Sequence, residues 1–567
     1  MAASSVESDT PGSFMGDVRS LMLPGVVLWL LMAVVAFLTK SFGYATELKD
    51  CPTLVTFAVL TAAFVVSLWA IKVALAAQVK SLAAVMVFGL ALRFLMLMTS
   101  PILEVDIYRY MWDGLVVSEG ISPYAHSPAA VLRANPASEN DELRQLALLR
   151  ARSRAIDLTL RRIHFGEITT VYPPVSQAVF AAAAWTTPDS FSIDGRLGVM
   201  KGWLILFDMG TLLIVGWLLR EAGKPMGWAI AYGWCPLVLK EFANSGHLDS
   251  IAVFFSTLAV WLLVRSGKQG VTHFVLALLA LVLGVGAKLY PIVLLPLFLM
   301  RAWDRLGFIR ATGLGMVCLV LCVGSIWPML SKGESKPAPR TAITWQTDPS
   351  LPPLPTAQPK PPAEAGLTAF LSRWEMNDFL FAIAYENVRP VGNRPIARQS
   401  WCAVVPDAWR VQLCQMCVDR LGLEPHLTPF LVARALTSFV FLVIAVWLAI
   451  ANRGATTERV LECAFLTLAW FWLLSPTQNP WYWAWSLPLV AFTRNRAWLL
   501  MPGFAMVYYL RFWFRTLGEE PLFEALPYNG MQVFDQFVPW LEFGPLLAVI
   551  LVLWIHRTWT GDRVNRV

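Results

Sequence analysis

Charge is scarce in this chain. Only 15% of its 567 residues are Asp, Glu, Lys or Arg, where a soluble domain carries about a quarter, so an ordinary water-soluble globule is excluded. Histidine is scarcer, at 6. The 8 cysteines include one Cys-x-x-Cys, Cys414 and Cys417, with no second pair and no histidines at zinc-finger spacing, which argues against a metal site. There is no glycine-rich phosphate loop and no Asp-x-Asp motif, hence no sequence sign of a nucleotide-bound donor. No internal repeat is visible. A cleavage site is missing after the first apolar run, 21–38, which is also too long for a signal-peptide core and reads as an uncleaved span.

Apolar residues are what the chain has in excess: 57% of the total, with a mean hydropathy of +0.57. Runs approaching span length recur at 21–38, 54–71, 82–99, 197–219, 226–242, 251–264, 272–286, 290–300, 311–326, 430–450, 460–474, 481–492, 497–514 and 541–555. The expectation is an all-α, polytopic integral membrane protein with about 14 transmembrane helices and large external loops carrying interfacial helices. The 26 tryptophans suit two long membrane–water interfaces. The net charge of +7 fits basic cytoplasmic loops rather than nucleic-acid binding.

Arg220, Lys224, Arg265, Lys268, the basic 301–310 loop, Arg453, Arg494, Arg496 and the tail arginines mark cytoplasmic ends. Both termini are then cytoplasmic. Asp106, His247, Lys288 and Gln478 fall on one side of the membrane, the external one. Residues 172–185 do not fit this count: either they are re-entrant or another span is misplaced.

The chain divides into a disordered cytoplasmic tail at 1–20 and an N-terminal transmembrane module at 21–330, which includes an external loop at 100–174. A linker with nine prolines follows at 331–365, then an external loop with interfacial helices at 366–429, and C-terminal spans with a cytoplasmic tail at 430–567. Six arginines among leucines at 143–163 read as a basic amphipathic helix on lipid headgroups, or as a helper for an anionic lipid carrier. An external disulfide between Cys402 and one of Cys414 and Cys417 is expected in an oxidising compartment.

The segment 103–124 begins where an apolar run ends and packs Glu104, Asp106, Arg109 and Asp113 among Tyr108, Tyr110, Trp112 and Tyr124. In a helix, Asp106, Tyr110 and Asp113 share one face, and Arg109 can pair with either acid. Such a cluster suits acid–base chemistry on a sugar, or it is a solvated exit from a span with an aromatic belt. His247 and Asp249 sit two residues apart at a helix junction. Lys288 stands between two short apolar runs, as a cation for an anionic partner or a lysine snorkelling to headgroups. Inside spans, Arg93, Lys201 and Asp208 are unusual, and Asp208 paired with a nearby cation reads as structural.

Taken in order, these phrases resemble the GT-C superfamily of membrane glycosyltransferases, closest to bacterial polyprenol-phosphate-mannose-dependent mannosyltransferases. The carriers are Val105-Asp106-Ile107-Tyr108-Arg109-Tyr110-Met111-Trp112-Asp113-Gly114 with Ser122-Pro123-Tyr124, then Trp234-Cys235-Pro236 through Gly246-His247-Leu248-Asp249. Lys288-Leu289-Tyr290-Pro291, Trp374-Glu375-Met376-Asn377-Asp378-Phe379-Leu380-Phe381 and Ser475-Pro476-Thr477-Gln478-Asn479-Pro480-Trp481-Tyr482 complete the set. The family's first acid of a doublet is Val105 here, its asparagine is Cys235, and its late histidine is Asn479.

The resemblance implies an inverting transfer of a sugar, mannose by analogy, from a polyprenol-phosphate donor to a glycan or glycolipid acceptor, in a bacterial inner membrane. Asp106 and Glu104 would be catalytic, and Lys288, Arg109 and His247 would hold the donor phosphate. Tyr110, Asp113, Tyr172, Asp249, Glu375, Gln478, Trp481 and Tyr482 would line the sugar and acceptor sites. No metal ligands are assigned, and participation of a divalent ion is left open. The rival expectation is a transporter or flippase of lipid-linked sugars, which also combines many spans, broken helices and a few intramembrane charges.

Overall fold

The computed structural model describes residues 11–135, 138–331, 366–392, 400–522 and 527–559. The expected proline-rich linker lies, apart from Ser331, outside the described residues. Secondary structure among the described residues is helical apart from one isolated bridge between Met376 and Thr477. Seven helices are long and apolar enough to cross a membrane: Phe14–Ser41, Thr53–Ala76, Ile193–Glu221, Asp249–Gly267, Phe308–Ser331, Thr428–Ala451 and Gly530–His556. Leu82–Leu97 and Val271–Ala287 are apolar but shorter. The other expected spans are broken or short, so length and composition alone do not carry a count of fourteen crossings.

The chain enters through α1 (Pro11–Leu38), α2 (Thr53–Ala76) and α3 (Leu82–Leu97). Residues 11–20 are therefore helical, not the disordered tail the polar composition suggests. The reason is Asp17, buried, whose carboxylate accepts the backbone N–H groups of Lys80 at 3.0 Å and Ser81 at 2.7 Å and so ties α1 to the α2–α3 turn. Ser81 then caps α3 by accepting from Ala84 N–H.

After α3 come α4 (Ile107–Ser118), α5 (Pro128–Arg133), α6 (Asp141–Ala151), α7 (Arg154–Arg161) and α8 (Pro174–Trp185). The arginine-rich stretch is thus two helices, with Ser153 capping the second. It does not present one continuous basic face. Arg144 pairs with Asp141, Arg150 and Arg161 with Asp157, and Arg152 with Glu119, while Arg162 binds the Tyr108 hydroxyl at 2.9 Å. With 12 residues, α8 is about 18 Å long, too short for a hydrocarbon core of about 30 Å, and it packs back on α4.

Gly114 makes that packing possible: a β-carbon there would sit 2.2 Å from the Phe180 carbonyl oxygen. Gly114→Val should destabilise the protein by about 1–3 kcal/mol through overpacking, seen as a lower thermal unfolding temperature in detergent. An unchanged transition would mean that α4 and α8 do not meet this way.

The next helix, α9 (Ile193–Glu221), carries the intramembrane acid. Asp208 is held by Arg93 in a two-bonded fork at 2.5 and 3.0 Å and by the Tyr232 hydroxyl at 2.7 Å, all fully buried or nearly so. The pair is structural, joining α3 and α9. Lys201 of α9 donates to the Thr99 carbonyl at 2.5 Å, below α4.

Residues 226–244 are not one helix. A 3-10 turn leads to α10 (Ile230–Gly233), then α11 (Pro236–Val238), then a π-helical turn at Leu239–Asn244. Pro236 lacks the N–H that would continue the ladder. Residues 480–492 and 496–515 are likewise short helical pieces. Finally α12 (Asp249–Gln269) and α13 (Val271–Ala287) run side by side, and Lys288 follows in extended conformation (φ −158°, ψ 141°) before the next turn at Tyr290–Leu294. Cys402, Cys414 and Cys417 are free thiols, so the expected disulfide is absent. Ser400 is the neighbour of the Cys402 sulfur, and the Val388 carbonyl that of Cys414.

Candidate active site

The interruptions in the helices meet at one place. Thr99–Asp106, the π-turn with Ser245–Asp249, the break at Lys288 and the 475–485 segment all converge on two carboxylates. The loop before α4 is pinned by Asn244, whose side chain accepts from Ile102 N–H at 3.0 Å and donates to the Ser100 carbonyl at 2.7 Å. Leu103 takes a left-handed backbone (φ 64°) immediately before Glu104. That conformation is costly for a bulky residue and is found where function demands it. Gly246 is also left-handed (φ 69°), a conformation that favours glycine, and a β-carbon there would push on the tip of the Ile107 side chain at 2.5 Å where the His247 turn lies against the start of α4.

Glu104 and Asp106 are partly exposed. The Tyr508 hydroxyl donates to Glu104 at 3.2 Å, and the Tyr172 hydroxyl is 3.4 Å from Asp106. Loss of water pushes the Glu104 carboxyl up to about 7, with the negative charge of Asp106 adding to the rise and Lys240 and His247 opposing it.

Across from them, the Lys288 ammonium donates to Asp249 at 2.6 Å and lies 4.1 Å over the Tyr482 ring. Trp485 donates its indole N–H to the same Asp249 oxygen at 2.6 Å and stacks between Tyr482 and Tyr290, at 4.4 and 4.0 Å. Desolvation lowers the Lys288 pKa, against the pull of Asp249 and Asp106. Asp106 is thus within electrostatic reach of Lys288, and also of Tyr172 and Tyr482. His247 stacks on Trp481 at 4.2 Å, with its Nε2 3.2 Å from Glu241. Trp481 in turn meets Tyr508 edge-on at 6.2 Å.

The structure therefore gathers Glu104, Asp106, Tyr172, His247, Asp249, Lys288, Trp481 and Tyr482. Tyr110 is a buried wall of the same site, edge-on to Tyr172 at 5.0 Å, its oxygen accepting from the Leu248 backbone N–H. Arg109 and Asp113 are set apart. The Arg109 guanidinium is buried against Asp113 at 2.9 Å and the Ile168 carbonyl at 3.2–3.3 Å, and Gln177 donates to Asp113 at 3.2 Å. This arrangement ties α4 to α8. Gln478 is fully buried and folds its amide onto the Leu473 and Ser475 carbonyls of its own turn. Glu375 is exposed on the strand-like segment that pairs Met376 with Thr477. No group of three or more His, Cys, Asp or Glu suited to a metal occurs among the described residues.

Four contributors escaped the sequence reading. Lys240 and Glu241 are fully buried on the π-turn, with Lys240 4.2 Å over Tyr509. They were legible as two adjacent charges inside an apolar run. Tyr508 and Trp485 had no such signal, being aromatics among many in apolar stretches.

No curated protein sequence and no solved structure matches this chain. Residues 415–531, roughly a fifth of the chain and the part that supplies Trp481, Tyr482, Trp485 and Tyr508, match the family model described as the MptB C-terminal domain.

Proposed function

We propose that this protein is an integral-membrane, inverting glycosyltransferase that moves a sugar, mannose by preference, from a polyprenol-phosphate donor to a glycan or lipid-linked acceptor on the non-cytoplasmic face. MptB is a mannosyltransferase of the GT-C type, and the matched segment supports that family. The observation that carries the reading is the pairing of two carboxylates with the Lys288–Asp249 unit at a junction of broken helices.

In this reading Asp106 accepts the proton of the acceptor hydroxyl as that oxygen bonds to the anomeric carbon. The bond from that carbon to the phosphate oxygen breaks, and its electron pair leaves with the polyprenyl phosphate. Lys288 faces the anion as it forms, with His247 beside it as a hydrogen-bonding group, where a preorganised cation is worth far more than in water. Lys288 has one N–H on Asp249 and the Tyr482 face beside it, which fixes its position and leaves further N–H groups for phosphate. Glu104 stabilises the positive charge that develops on the sugar. Arg109, occupied by Asp113 and Ile168, holds α4 in place and is a positioning residue. Trp481 and Tyr482 offer ring faces to the sugar.

The test uses purified protein in lipid vesicles with a radiolabelled polyprenyl-phosphate mannose and mannosyl acceptors. Label appearing in the acceptor supports the enzyme. Label that crosses between leaflets with no transfer supports a flippase instead and ends the proposal.

A further inference from the structure

Beside the carboxylates lies a partly exposed aromatic ledge with no role in the chemistry above. Phe165, just after α7, has a left-handed backbone (φ 53°) and a side chain left 61% exposed. A left-handed backbone is uncommon for a bulky residue and persists only where the surrounding structure holds it. Its ring meets Trp374 edge-on at 4.9 Å and 68°, and Phe370 tilts against Trp374 at 6.3 Å.

The ledge belongs to the candidate active site. The Trp374 carbonyl accepts from the Thr477 hydroxyl at 3.2 Å, which fixes it to the segment that leads into Trp481. Two residues on, a distance of about 7 Å along extended backbone, the Met376 sulfur touches the Tyr508 hydroxyl that binds Glu104. On the other flank, exposed His164 stands edge-on to Phe165 and lies in the electrostatic field of Asp106. Ring faces bordered by an imidazole and joined through the backbone to the carboxylate site suit a ligand with C–H faces and hydroxyls together, which is a saccharide.

We propose that Phe165 and Trp374 form a stacking platform for a pyranose ring of the acceptor, one or more sugars away from the reacting hydroxyl. The identity of the ligand rests on the transferase reading. Such a remote contact supplies binding energy without touching the reacting atoms.

The test is saturation-transfer NMR of mannobiose to mannotetraose with the full-length protein in nanodiscs, which needs no turnover. Binding should be present in wild type, at least about tenfold weaker in Phe165→Ala and Trp374→Ala, and restored in Phe165→Tyr. Unchanged binding in Phe165→Ala overturns the platform. So does an absence of oligosaccharide binding by wild type, or a brominated-lipid quenching component present in wild type and missing in Trp374→Phe, which would put the ledge in the bilayer. In the transfer assay the platform predicts a KM for the longer acceptors raised in Phe165→Ala with kcat kept. Binding without transfer by wild type would sink the transferase and leave the platform; transfer with an unmoved KM would do the reverse.

Discussion

Asp106→Asn is expected to cut sugar transfer by about 100-fold to 10,000-fold, the range for losing a positioned general base, with thermal unfolding unchanged. The carboxylate makes one long contact, 3.4 Å to Tyr172, and remains partly exposed, so its removal opens no cavity and strands no buried partner. Activity within threefold of wild type would dismiss Asp106 as the base. Glu104 then provides a second measurement. With its carboxyl pushed up to about 7, it is largely protonated at pH 6 and largely ionised at pH 8. Ionised Glu104 helps by facing the positive charge that develops on the sugar. Transfer should therefore rise with pH through about 7, and Glu104→Gln should be slow and lack that limb. A limb kept in Glu104→Gln assigns the titration elsewhere.

Lys288→Met is the second large effect expected, a loss of about 100- to 1,000-fold in kcat, as for removal of one preorganised donor from a developing anion. A confounding loss of fold is foreseeable, because Asp249 is 1% exposed and would be left without its ammonium. Trp485 would still donate to it, which is not enough to neutralise a buried charge. The double variant Lys288→Met/Asp249→Asn separates the two contributions. It should recover unfolding behaviour close to wild type while transfer stays low. If transfer returned along with stability, Lys288 would be a structural cation only.

Much of the candidate site could be read from the chain before any coordinates, and the reason is energetic. A charge in or beside an apolar run is expensive unless something holds it, so Asp106, His247, Asp249 and Lys288 stood out by contrast with their neighbours. Their mutual pairing did not. That Lys288 would bond to Asp249, 39 positions away, depends on α12 and α13 running side by side. Arg109 shows the opposite failure. Its spacing permitted pairing with Asp106 or Asp113, and only the position of Ile168 and Gln177 decided for Asp113.

The boundaries followed the same division. The break around Lys288 falls where Gly284, Gly286 and Pro291 stand, residues that act on the backbone locally. The polar residues 11–20 gave no hint of helix. Their order comes from one carboxylate, Asp17, meeting N–H groups more than 60 positions later. The arginine-rich stretch divides the same way: Asp141 and Asp157, which pair with Arg144, Arg150 and Arg161, stand in or beside it, whereas the Glu119 partner of Arg152 comes from the end of α4.

The sequence by itself determined the apolar helical class and the odd charges, since hydropathy and helix-breaking residues act within a few positions of where they stand. Only the tertiary structure decided that four interruptions in separate helices meet at Glu104 and Asp106, that Met376 and Tyr508 reach the same carboxylate, and that Phe165 is left in the open beside them. Those outcomes depend on how whole helices pack, and on which broken backbone finds its hydrogen-bond partners in a segment hundreds of residues away.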